Sequence, residues 1–110
     1  MKETLLIKHA VGGRTFIDTG KQPREYRVES DGASFKFTVK APMDRSMEEL
    51  LEWKQELNVF LFQEFDDRPT KKIWFYVNDG SVHYNAEREQ LTIVAQSSIE
   101  YVPDLFGGGM

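Results

Sequence analysis

Apolar and polar residues alternate with a period of two along much of this chain, and the pattern thickens once, between Ser46 and Phe65. The alternation is clearest around Asp31-Gly32. Before it, Tyr26 and Val28 fall on one face of an extended segment, with Glu25, Arg27 and Glu29 on the other. After it, Phe35, Phe37 and Val39 are expected inward and Lys36, Thr38 and Lys40 outward. Asp31-Gly32 suits the positive φ angles of a tight turn, so the two segments predict a hairpin. Residues 4–8 and 14–18 are β-prone runs either side of Gly12-Gly13 and predict an earlier hairpin. Further on, residues 72–77, 81–84 and 90–95 predict three more strands, the first two separated by a turn at Asn78-Asp79-Gly80.

The dense segment predicts a helix over residues 46–65. Ser46 with Glu49 matches a capping box, and Glu48, Glu49 and Glu52 favour the positive end of the helix dipole. At about 100° per residue, Met47, Leu50, Leu51, Trp53, Leu57, Phe60, Leu61, Phe62 and Phe65 fill roughly 200° of the circumference, and Val59 lies outside that arc. Residues 59–62 also fit a strand. The i, i+4 row Leu57, Leu61, Phe65 and the lack of a turn residue before Asp66 favour helix to about residue 64, with Pro69 closing it. The expected fold is α+β: a strongly twisted antiparallel sheet of six or seven strands in hairpins, in the order ββββ-α-βββ, packed against one long amphipathic helix. Residues 1–96 form one domain in this reading, and residues 97–110 an extended tail.

Length and composition narrow the class without naming a function. A chain of 110 residues without cysteine supports one core with no disulfides, thiolate metal sites or thiol nucleophiles. No apolar run is long enough for a signal-peptide core or a membrane span, and the expected location is cytoplasmic. The net charge of −4 is unevenly spread. Residues 1–40 hold eight Lys/Arg against five Asp/Glu, and residues 41–110 hold six against thirteen.

Candidate chemistry is sparse. His9 and His83 are the only histidines, and neither has a spacing that offers two metal ligands from one element, so no metal or cofactor is expected. Asp66-Asp67 are adjacent carboxylates that diverge at a helix exit, and no phosphate loop or nucleophile elbow is present, so no catalytic residue is assigned. Arg27, Lys36 and Lys40 form the best nucleic-acid candidate, but Glu25 and Glu29 share their face and no stacking aromatics stand among them, which disfavours that reading.

What remains is surplus apolar surface at Val59, Phe60, Phe62 and Trp74, and a tail with Tyr101, Leu105 and Phe106 among acids. Asp104-Leu105-Phe106 resembles the end of the bacterial sliding-clamp-binding pentapeptide, Gln-Leu-Ser/Asp-Leu-Phe, with Val102 and Pro103 in place of its first two residues. These seven residues point to a non-catalytic protein-interaction module, meaning an adaptor, an inhibitor or a small subunit of an assembly, of a size that suits a phage or mobile element. The expected partner is a protein or a second copy of the chain, with no membrane. The rival expectation is a ligand-binding or enzymatic domain with an aromatic-lined pocket between helix and sheet, using Trp53, Phe62, Trp74 and Tyr76.

Overall fold

The computed structural model describes residues 1–32 and 34–101. Its strands are β1 (Lys2–His9), β2 (Thr15–Asp18), β3 (Tyr26–Asp31), β4 (Ser34–Lys40), β5 (Leu57–Glu64), β6 (Lys71–Asn85) and β7 (Gln90–Tyr101), with one helix, α1 (Arg45–Glu52), between β4 and β5. All seven strands join one antiparallel sheet in the order β2-β1-β5-β6-β7-β4-β3. The sheet curls into a half-barrel whose concave side carries the core.

The long helix expected over residues 46–65 is not present. The helix has 8 residues, and Leu57–Glu64 is a central strand bonded to β1 on one side and β6 on the other. The reason lies in the burial pattern. Leu57, Val59 and Leu61 are buried on the concave face while Asn58, Phe60 and Phe62 alternate with them on the outer face, a period of two. An apolar run of this length satisfies either element locally. Two neighbouring strands with unpaired backbone groups decide for the strand, which pairs residues 58–63 with β1 on one side and β6 on the other.

The helix start also differs from the Ser46 cap. Asp44 is the N-cap, its Oδ1 accepting from the Met47 N–H at 2.9 Å, and Ser46 lies within the first turn. Glu49 does not reach back to the cap. It meets the guanidinium groups of Arg14 and Arg45 instead. The helix stops at Trp53, where a turn closed by the Glu56 N–H on the Trp53 carbonyl redirects the chain into β5. Met47 and Leu50 are buried against the core, so the short helix plugs the end of the half-barrel where β1 and β4 finish and β5 starts.

Two hairpins open the sheet. The link from β1 to β2 turns through Gly12 and Gly13, both at positive φ, and is closed by the His9 N–H on the Arg14 carbonyl at 2.7 Å. β3 and β4 pair from Tyr26 opposite Val39 to Asp31 opposite Ser34, around Gly32 at φ 63°.

Asn78-Asp79-Gly80 does not separate two strands as expected, because β6 runs through it. Val77 opposes Ala95 and Val82 opposes Ile93, so four β6 residues lie across from the single residue Val94 where the register shifts. The Ser81 hydroxyl donates to the Val94 carbonyl there at 2.8 Å. A second irregularity places Gln96 between the partners of Tyr76 and Val77, and a third makes both Phe16 and Ile17 of β2 buried. Bulges sharpen the local twist, which accounts for the curl. Residues 97–101, expected as the start of a tail, continue β7 alongside β6. Leu105, Phe106 and the clamp-motif-like triplet lie outside the described residues.

Curling brings distant strands together. Four strands separate β1 from β3 within the sheet, yet the Tyr26 hydroxyl donates to Glu3 Oε1 at 2.7 Å. Burial, with the hydrogen bond and charge of Glu3, raises the Tyr26 phenol well above its ordinary value of 10.0. The folded state therefore holds this proton where the unfolded chain loses it. That contribution is complete below about pH 10 and is lost as pH rises toward the folded pKa. Urea midpoints between about pH 9 and 11.5 should show native stability falling faster than that of Tyr26→Phe, and parallel curves would contradict this origin of the shift.

Candidate functional site

Strand parity separates the residues singled out from the sequence. Val59 is 0% exposed and faces the core, opposite Ile7 and Phe75. It contributes packing rather than surface. Phe60, Phe62 and Trp74 all stand on the outer face. There the cross-strand row Leu6, Phe60, Trp74, Ile99 spans β1, β5, β6 and β7, and the row Thr4, Phe62, Lys72 runs beside it. Tyr101 stands opposite Lys72 in the backbone register.

The outer-face aromatics form a connected group. Phe60 stacks on Trp74 with centroids 6.1 Å apart, and Trp74 tilts against Tyr76 at 4.8 Å. Lys72 Nζ lies 4.5 Å from the centroid of Phe60 and 5.1 Å from that of Phe62. The Trp74 indole N–H donates to Asn58 Oδ1 at 3.2 Å. Tyr76 is 39% exposed and Ile99 45%, and Leu6, Phe60, Phe62 and Trp74 are half-buried. No element of the described residues covers this face. Ile99 and Leu6 were missed from the sequence, and Tyr76 was singled out there only for the pocket, although Trp74 and Tyr76 share a strand face at i, i+2.

The expected pocket between helix and sheet is not built from these residues. Trp53 sits at the helix end, 42% exposed, with its ring 4.9 Å from His9. His9 Nε2 lies 3.5 Å from Glu56 Oε2, while His83 is on the outer face beside Thr92. Among the described residues no group of three or more His, Cys, Asp or Glu is placed to hold a metal ion. Asp66 and Asp67 lie in the exposed β5–β6 connection.

Arg27, Lys36 and Lys40 are exposed on the outer face of β3 and β4. Glu29 stands opposite Lys36, and Arg27 Nε is 3.3 Å from Glu29 Oε1, so acids share the patch. Among the described residues no helix is long and apolar enough to cross a membrane.

The concave side differs at its two ends. α1 closes one. The other is an open cleft of about 640 Å³ lined by Glu3, Tyr26, Val28, Ser30, Phe35, Leu61, Gln63, Ile73 and Phe75. Its floor is apolar and aromatic, and its one described carboxylate, Glu3, accepts from Tyr26 on Oε1 and from Gln63 Nε2 on Oε2 at 2.9 Å. Nothing in the sequence ties Glu3 to Tyr26, because their meeting depends on the curl.

No protein-family model matches this chain, and comparison with curated proteins and with solved structures finds no match.

Proposed function

We propose that this chain is a non-catalytic protein-interaction module that docks a partner on the outer face of β1, β5, β6 and β7. The observation that carries the proposal is the continuous apolar row Leu6, Phe60, Trp74, Ile99 with Tyr76 beside it, standing on a sheet face that no described element covers. A connected group of Trp, Tyr and Phe on a rigid sheet has the composition of an interface centre, because large rings bury much area at little cost in rotamer freedom. Lys2 and Lys8 of β1 stand on the same face, Lys2 opposite Glu64 of β5. The partner that fits is a protein with an apolar centre.

The test compares Phe60→Ala with Trp74→Ala, alone and combined, in capture from a native host lysate, followed by titration of the recovered protein. Each truncation should weaken binding by about 2 kcal/mol or more, roughly 30-fold, while the chain stays folded. Arg27→Ala with Lys36→Ala serves as a control outside the aromatic group. Unchanged capture by folded double aromatic variants, or loss only in the basic pair, would overturn the reading.

A further inference from the structure

The open end of the half-barrel carries an inference independent of the outer face. Its cleft combines three features. The volume, about 640 Å³, is in the range of small-molecule sites. The floor is formed by Phe35, Leu61, Ile73 and Phe75, with Phe75 held edge-on by Phe35 at 5.1 Å and by Phe37 at 4.8 Å, so it is rigid and apolar. The wall holds a single carboxylate, oriented by two neutral donors.

Glu3 lacks a counter-charge. Among the described residues no lysine, arginine or histidine nitrogen lies within 4 Å of its carboxylate. The cation nearest in register, Lys71 opposite Gln63, pairs with Glu100 at 3.2 Å. Tyr26 and Gln63 each occupy one lone pair of the carboxylate, and each oxygen keeps another. Tyr26 stays a donor across the ordinary pH range because its proton is held so firmly. A negative group fixed by neutral donors, at the lip of an apolar recess, matches a ligand with a positive hydrogen-bond donor on an apolar body.

We propose that this cleft binds small organic amines, the ammonium donating to Glu3 and an aromatic or branched aliphatic body lying on Phe35, Leu61, Ile73 and Phe75. Binding in the cleft requires neither the proposed docking face nor its partner.

The probe is 3-phenylpropan-1-amine, titrated into the full-length protein and read from methyl shifts of Leu61 and Ile73, with Leu50 and Leu91 as reporters away from the cleft. The neutral isostere 3-phenylpropan-1-ol should bind at least about tenfold more weakly, and Glu3→Gln should lower affinity for the amine by about the same factor while leaving that for the alcohol unchanged. The lysine analogue Nα-acetyl-lysine methylamide, which lacks the apolar body, should give no saturable shift. Equal affinities for amine and alcohol would overturn the proposal. So would binding of the lysine analogue as tight as that of the amine, or the absence of shifts at Leu61 and Ile73 up to about 20 mM amine. Should Glu3→Gln fail to fold, the amine-to-alcohol ratio on the native protein decides alone.

Discussion

Val59→Asp is expected to leave the chain largely unfolded at room temperature, while Phe60→Asp, one residue along, is expected to retain the native fold. Val59 is 0% exposed and packed on the concave face between Ile7 of β1 and Phe75 of β6. A carboxylate there would sit among the buried apolar residues of the core, and burying a polar group without a partner costs several kcal/mol, with an ionised one costing more. Against a total stability of about 5–15 kcal/mol, that penalty removes most or all of the folded population. Phe60 points the other way, into the outer aromatic group. Its replacement gives up the stacking on Trp74 and the contact with Lys72 Nζ, worth together about 1–2 kcal/mol, and leaves the new carboxylate in water beside that ammonium. Circular dichroism melts of the two variants separate the outcomes. Equal destabilisation would contradict a period of two in this segment and with it the strand.

The second large effect lies at the centre of the concave face. Phe37 is 0% exposed, and its ring meets that of Phe75 edge-on at 4.8 Å and 80°. Removing it takes away a fully buried aromatic side chain and opens a cavity beneath the cleft floor, so Phe37→Ala should cost about 3–5 kcal/mol. In a chain of this size, that corresponds to a fall in Tm of roughly 15–25 °C. Phe35→Ala makes the informative comparison. Phe35 touches the same Phe75 ring at 5.1 Å but is half-buried at the cleft, where water can replace it, so its loss should cost less than half as much. Calorimetry on both variants checks the ratio. Similar costs would show the open end of the half-barrel to be as tightly packed as its centre.

Parity was legible wherever polar residues interrupted the apolar ones. In β4, Lys36 and Lys40 are exposed and Phe37 and Val39 buried, as the alternation implies. Thr38 lies on the outward face yet is only 8% exposed, standing between Arg27 and Thr92 of the neighbouring strands. Alternation assigns a face, but cover on that face depends on which side chains the adjacent strands supply. The N-cap shows a similar limit. Ser46 and Asp44 both precede an apolar-periodic run, and the capping-box pattern favoured the serine, but Asp44 is the residue whose carboxylate reaches the Met47 N–H.

The candidate surface emerged by an indirect route. Phe60 and Phe62 stood out as surplus apolar residues of an amphipathic helix, on which two positions apart means nearly opposite sides. On a strand the same spacing puts them on one face, and register with β6 adds Trp74 and Tyr76. Excess apolar content marked Phe60 and Phe62 whichever element carries them, since content survives a change of period and geometry does not, but it marked the buried Val59 as well. The cleft left no such signal. Glu3 and Tyr26 are 23 residues apart and meet only because a seven-stranded sheet curls through its bulges.

The chain by itself therefore determined what depends on neighbours a few residues away: the faces of the alternating strands, the hairpin turns at glycines with positive φ, and a core without cysteine. Tertiary structure alone decided whether residues 57–64 coil or extend, whether Asn78-Asp79-Gly80 ends a strand or bulges from it, and which carboxylate faces the cleft. The physical reason is common to all three. Each choice turns on hydrogen bonds and burial supplied by strands remote in sequence, and a local pattern compatible with two conformations takes the one its distant neighbours can satisfy.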